Sequence, residues 1–447
     1  MPSASVIITD TQRGVSFKTT TNESGNYSQS QLTPGTYTVS ADHPGFQKVT
    51  QQNVTVNVGI SARVDLTLQV GATGQEITVS EAPPGVVTDS AQLQTTLSSR
   101  QISELPVLNR NFTNLTLLTP GATLNTFQHA PSENPQQSTL VNTNGQQFAG
   151  SNYLLDGMNN NDAVLGIVMV NPPIGSVGEF TVVTSNYDAE YTQAGGAVIL
   201  VQTKAGSNEY HGNAFDFLQN DIFQARDSFT QGLFAPGTPA PAHRGLPELR
   251  WNQFGGSLGG KIKKDKLFAF GDSQGTRRRI GASGSLRVPT AAERTGDLSA
   301  LGVPIYNPFT GNPDGTGRSP FPGNVIPASL ISPPVATLLS KLPAANVTPA
   351  NAAENNFVSS GVQPFDTNQF DLRVDHYMTQ NLRYFVRYDY LGAAINAPGP
   401  LGLYGGPAYS ALGFSGISNA RNQNIAADVP YVVSPTLLTD FRFGMSR

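Results

Sequence analysis

Between Phe370 and Tyr390 every charge of two successive strand-like runs falls on one side of the backbone. Phe370, Leu372 and Val374 alternate with Asp371, Arg373 and Asp375. After the turn at 376–381, Tyr384, Val386, Tyr388 and Tyr390 alternate with Arg383, Phe385, Arg387 and Asp389. Side chains alternate faces along a strand, so this hairpin has one apolar, aromatic-rich face and one charged face. A soluble sheet can use the apolar face as core and turn the charges to water. A transmembrane barrel does the reverse, with the apolar face in lipid and the charges lining a wet lumen.

The connections decide between these readings. From Asn208 onward the pattern is strand and loop only, with strands predicted at His211–Leu218, Arg250–Ile262, Leu267–Arg277, Asn368–His376, Leu382–Leu391, Asn419–Val432 and Thr436–Ser446. The turns at 263–266, 377–381 and 433–435 are tight, whereas the connections at 219–249, 278–367 and 392–418 are long and rich in Pro and Gly. A structureless loop of about 90 residues argues against a compact soluble domain. Alternation of short turns with long loops is the habit of outer-membrane barrels.

Upstream, residues 1–70 read as a small β-domain with strands at Ser5–Thr9, Val15–Thr20, Tyr27–Leu32, Tyr37–Ala41 and Val54–Val70. Residues 71–90 read as a linker punctuated by Gly71, Gly74, Pro83, Pro84 and Gly85. Within it, Gln75–Ser80 is β-prone, and an extended segment in a linker is what strand addition to a partner's sheet requires. Residues 91–205 read as mixed α/β. Helices are predicted at Gln92–Ile102 and Arg110–Leu118 and strands at Ser151–Leu155, Glu179–Thr184 and Ala197–Thr203. The last is apolar enough for a central strand, and Gly195-Gly196 before it predicts close backbone approach.

Composition excludes several function classes. Charged residues make up 13% of the chain, about half of the roughly 25% usual in globular proteins. A net charge of −4 gives no electrostatic reason to expect nucleic acid, and Arg277-Arg278-Arg279 reads as a solvated strand end. The chain has no cysteine, which removes thiol and iron–sulfur chemistry. It has no apolar run of about 18 residues for a spanning helix. Gly255-Gly256-Ser257-Leu258-Gly259 fits G-x-S-x-G but sits inside a strand pattern with no following helix. Ile262 occupies the Ser/Thr position that a phosphate loop needs after Lys261. The oxygen-rich run Asp156–Asp162 lacks the order of a calcium loop and reads as a polar turn. The five histidines are scattered without ligand spacing. Nothing here argues for catalysis or for a cofactor.

Several segments together carry a family resemblance. They include Leu32-Thr33-Pro34-Gly35-Thr36-Tyr37, Asn109-Arg110-Asn111-Phe112, Tyr153–Asp162, Glu179-Phe180-Thr181-Val182, Asn252–Gly260 and Val288–Arg294. With these the chain resembles TonB-dependent outer-membrane receptors of the Oar-like kind over nearly its whole length. The resemblance implies a fold that is mainly β. It comprises a small N-terminal carboxypeptidase-regulatory-like β-sandwich (1–70), an α/β plug domain (91–205) and the first strands of an antiparallel transmembrane β-barrel (206–447). Glu76, Ile77, Thr78, Val79 and Ser80 are similar to a TonB box. Asn109, Arg110, Asn111, Phe112, Asp156, Gly157, Asn160 and Asp162 carry the plug motifs.

The implied partners are TonB, outer-membrane lipid and a ligand held by external loops and plug; the implied location is the outer membrane. A surface adhesion protein without transport is the alternative, and a soluble glycan-binding β-protein a third reading. The family's barrel has about 22 strands, so the chain is expected to be a fragment that lacks its signal peptide, its first strand and most of its barrel.

Overall fold

The computed structural model describes residues 1–71, 76–80, 90–129, 133–191, 194–225, 248–351, 354–406, 415–434 and 437–447. The predicted linker at 72–75 and 81–89 and parts of the loops at 219–249 and 392–418 lie outside them.

The first unit is one five-stranded sheet in the order β2-β1-β3-β4-β5. Its strands are β1 (Ser5–Asp10), β2 (Ser16–Thr20), β3 (Gly35–Asp42), β4 (Lys48–Val56) and β5 (Glu76–Val79). The expected sandwich is therefore a single sheet among the described residues. Neither Tyr27–Leu32 nor Ser61–Val70 forms a strand. Val64, Leu66 and Leu68 do alternate inward onto the core, but among the described residues the segment's β-pairing is limited to an isolated bridge between Val70 and Phe46. Alternation records which face is buried, not whether a partner strand exists. These segments instead border a cavity of about 1480 Å³ between the sheet and the rest of the chain.

The central unit holds β6 (Leu93–Ser98), α1 (Ser99–Glu104), β7 (Ala122–Leu124), β8 (Val141–Thr143), β9 (Asn152–Leu155), β10 (Met158–Asn159), β11 (Val177–Ser185) and β12 (Val198–Thr203). Its mixed sheet runs β10-β9-β12-β11-β6, with β9 parallel to β12. The first half of the helix predicted at Gln92–Ile102 is strand. Leu93 and Leu97 satisfy a helical and an extended spacing alike, and pairing of Leu97 with Phe180 on β11 decides for the strand. The second predicted helix is a 3₁₀ turn at Leu108–Arg110 followed by a 3₁₀ helix at Phe112–Leu118. As expected, β12 is central and almost wholly buried, and the amides of Gly195 and Gly196 both donate to Gly150 O, at 2.7 and 2.9 Å.

Seven antiparallel strands follow in sequence order: β13 (His211–Asn220), β14 (Leu249–Lys263), β15 (Leu267–Leu286), β16 (Phe357–Tyr377), β17 (Arg383–Ala397), β18 (Gly416–Ser434) and β19 (Leu437–Ser446). All seven predicted strands are present. The central ones run longer, because the Ser- and Gly-rich ends at 278–286 and 357–367 pair without any hydrophobic alternation.

The long connection is consequently 287–356, and its described residues include short helices. Thr290 and Glu293 form a capping box over α2 (Ala291–Arg294). The Arg294 guanidinium then donates to the carbonyls of Leu339 and Leu342 at the end of α3 (Pro333–Lys341).

The faces of this sheet invert those of a soluble protein. Phe370 and Leu372 are 42% and 49% exposed, whereas Asp371, Arg373, Arg387 and Asp389 are at most 4% exposed. The charged face is buried against the central unit. The first unit packs at the short-turn end of the strands, where Phe268 and Tyr377 join its core beside Val6, Ile8 and Phe17.

Candidate functional site

One contact between the central unit and the charged face of the sheet is a two-residue turn. Asp156 and Gly157 link β9 to β10 with φ of +51° and +80°, the two-residue hairpin loop for which Asp-Gly is preferred. The turn aims the Asp156 carboxylate at the strands. Its Oδ1 accepts from Arg373 Nη1 at 3.0 Å and from the amide of Thr203 at 2.8 Å. Its Oδ2 accepts from Arg387 Nη1 and from Thr203 Oγ1, both at 2.8 Å. The side chains of Asp156, Arg373 and Arg387 are at most 2% exposed. Arg373 also pairs with Asp375, and Arg387 with Asp389. A third arginine, Arg442 of β19, closes the turn: a Cβ at Gly157 would lie 3.3 Å from its Nη1.

Opposed like charges mark the wall behind this clamp. Arg373 faces Arg387 and Asp371 faces Asp389 in direct register, and Asp272 of β15 faces Asp371 on the other side. Like charges in register destabilise a sheet on its own. Here the central unit adds partners to those within the sheet: Asp156 serves both arginines alongside Asp375 and Asp389, and Arg110 and Lys204 act electrostatically on Asp272. Burial pushes the Arg110 guanidinium and the Lys204 ammonium down, and the Asp272 charge partly offsets it.

A second contact lies along β13–β15. Arg110 Nε donates to Gln274 Oε1 at 2.9 Å and its guanidinium sits 3.9 Å from the Phe215 ring centre. The carbonyl of Asn109 accepts from Gln253 Nε2 at 3.1 Å. The two neighbouring motif residues face inward. Asn111 caps the 3₁₀ helix through the Thr113 amide and donates to the carbonyls of Gln136 and Gln137, and Phe112 is fully buried against Phe180.

The side-chain hydrogen bonds of Asn160 and Asp162 stay within the central unit. Asn160 bonds both the amide and the carbonyl of Val170, and Asp162 accepts from the amides of Val164 and Leu165. Their oxygens are thus engaged in closing a turn. Among the described residues no group of three or more acidic, His or Cys side chains could hold a metal.

Residues 76–80 lie apart from both contacts. Their strand β5 pairs in parallel with β4 of the first unit.

Strand alternation had aimed Arg373 and Arg387 inward, but nothing local named Asp156, 217 and 231 residues away, as their acceptor. Glu179 carried no sequence signal beyond its place in a family segment. It is 7% exposed, and its Oε1 accepts from the amide of Val58 at 2.8 Å, tying the first unit to the central sheet. Gly59, at φ +71°, passes so close over β12 that a Cβ would fall 2.5 Å from Leu200 Cδ1.

Burial pushes the Glu179 carboxyl from 4.5 up to about 7, against the Val58 and Thr181 hydrogen bonds. The folded state then holds more protons than the unfolded one between these values, so this group removes stability as pH rises from 4.5 to about 7. Glu179→Gln should flatten that part of the stability–pH curve and raise Tm above pH 7. Thermal melts across pH check this, and an unchanged slope would refute it.

A sheet with its apolar face exposed and its charged face occupied by another unit defines a wall for a membrane rather than a soluble core. Residues 202–447 match the outer membrane beta-barrel domain, and the chain belongs to that family. Residues 1–69 match the carboxypeptidase regulatory-like domain.

Among curated proteins the chain is similar to the TonB-dependent transporter Oar of Myxococcus xanthus, at 27% identity over 279 residues, covering 60% of this chain and 25% of that protein. Among solved structures it is similar to the outer-membrane transporter YddB of Escherichia coli, with a TM-score of 0.46 and 11% identity. That match covers 79% of this chain and 38% of the other. A ferric enterobactin receptor of Pseudomonas aeruginosa, solved as a mutant with enterobactin, matches with a TM-score of 0.40 and 14% identity, over 77% and 39% of the two chains. The chain thus spans about a quarter of the curated relative and about two fifths of these solved chains.

Proposed function

We propose that this chain is the energy-coupled portion of a TonB-dependent outer-membrane receptor. Residues 91–205 act as the plug, residues 206–447 as barrel strands, residues 1–70 as a periplasmic domain and residues 76–80 as the segment that TonB engages. The observation that carries this reading is the buried Asp156–Arg373–Arg387 clamp. It fastens a separate folded unit to the inward face of strands whose outward face is apolar. In this reading Phe370, Leu372, Val386 and Tyr388 meet lipid. The charged rows face a lumen that the plug fills, and ligand is taken up from the long-loop side.

Transport then consists of weakening the clamp. The aspartate and both arginines are excluded from water, so their mutual attraction is large only while the geometry holds, and it falls once water enters between them. A pull transmitted from residues 76–80 to the plug would admit that water.

The test is binding of a peptide spanning residues 71–90 to a purified TonB C-terminal domain. Saturable binding is expected. No binding, alongside a receptor box that binds in the same assay, would remove TonB from the account.

A further inference from the structure

The β5 strand is an edge strand of an unusual sort. In the order β2-β1-β3-β4-β5 only one of its sides is paired, so the backbone groups on its other side have no strand partner among the described residues. Natural sheets guard such edges with charges, prolines or bulges. The opposite edge, β2, carries the exposed Lys18 at its centre. Residues 76–80 carry neither a proline nor a free charge. Glu76, their one ionisable group, accepts from Lys48 Nζ at 3.1 Å and from Thr50 Oγ1 at 2.6 Å, and these contacts hold its carboxyl below the ordinary value.

The segment is held at both ends. Glu76 is tied to β4 as described, and at the other end Asn53 Nδ2 donates to the carbonyl of Ser80 at 3.1 Å. Asn53 has a φ of +57°, so the chain turns there to bring its amide to that carbonyl. Between these ties Thr78 and Val79 remain exposed. The segment is straightened and displayed rather than covered.

We propose that the first unit is a presenting platform. It holds residues 76–80 as a pre-extended edge strand, and a strand of the TonB C-terminal domain adds to the open side and lengthens the sheet by one. This rests on the TonB reading above and specifies how that partner is met. Ordering a free linker costs binding energy, and a segment already extended has spent it.

The test uses the 447-residue chain in detergent with a purified TonB C-terminal domain as probe. Lys48→Ala, Thr50→Val and Asn53→Gly together remove the side-chain ties and leave residues 76–80 untouched; glycine keeps the turn at 53. Affinity is expected to fall about tenfold, toward that of the free 71–90 peptide. An unchanged affinity, or a higher one, would overturn the proposal, the latter meaning that β4 hides the segment.

Amide exchange on the unaltered chain gives a second reading that needs no variant. On TonB binding, residues 48–51 should stay protected while 76–79 gain protection. Loss of protection at 48–51 would mean that TonB displaces β4, and would overturn the proposal. If neither peptide nor chain binds, the TonB reading itself fails. If the peptide binds and the variant matches the unaltered chain, only the platform fails.

Discussion

Asp156→Asn is expected to loosen the central unit from the seven-stranded sheet by about 3 kcal/mol, near the low end of the cost of breaking a buried ion pair. Asparagine tolerates the positive φ of the turn and can still accept from Thr203, so the hairpin should survive. What it cannot do is neutralise Arg373 and Arg387. Asp375 and Asp389 each retain one of these arginines, which keeps the loss from being larger. Trp251, the chain's one tryptophan, lines a small cavity with Asn109, Arg110 and Gln137 of the central unit. Its fluorescence in urea titrations therefore reports whether the central unit is seated against the sheet. A midpoint equal to that of the unaltered chain would refute the expectation.

Phe112→Ala should cost about 3–5 kcal/mol through the cavity left in a fully packed core. The side chain is wholly buried among Leu115, Phe180 and Ile174, so the surroundings have little room to collapse. The effect differs in kind from that of Asp156→Asn. It should unfold the central unit itself, abolishing its near-ultraviolet signal, whereas the Asp156 variant should free a central unit that stays folded. Phe112→Leu should recover most of the loss. Retention of full stability by Phe112→Ala would mean that this motif residue does not serve the core.

The contrast between these two residues bears on what the sequence made legible. Both stand in segments that carry the family resemblance, yet only the structure separates a core anchor from a clamp. Strand existence and facing in the last seven strands followed from period-2 alternation, which is strong wherever one face is apolar. The strand ends at 278–286 and 357–367 were not legible, since Arg-, Gly- and Ser-rich strands pair through backbone alone. The same limit worked in reverse at Ser61–Val70, where alternation is real but no ladder forms. The Asp156-Gly157 turn was visible as a turn. Its arginine partners were visible only as inward charges, because a pairing across more than 200 residues leaves no local trace.

The clamp accounts for an otherwise unfavourable feature of the wall, two arginines placed opposite each other on adjacent strands. Such local conflict is expected where a sheet is built to receive something else. The buried Asp156 carboxylate is what it receives.

The most direct measurement is a double-mutant cycle on Asp156→Asn and Arg387→Met, read by urea titration of Trp251 fluorescence in detergent. A central unit held by this ion pair predicts a coupling energy of about 1–3 kcal/mol, with the double variant losing less than the sum of the two singles. Additive losses, within about 0.5 kcal/mol, would mean that Asp156 and Arg387 act independently and that the central unit is held in some other way.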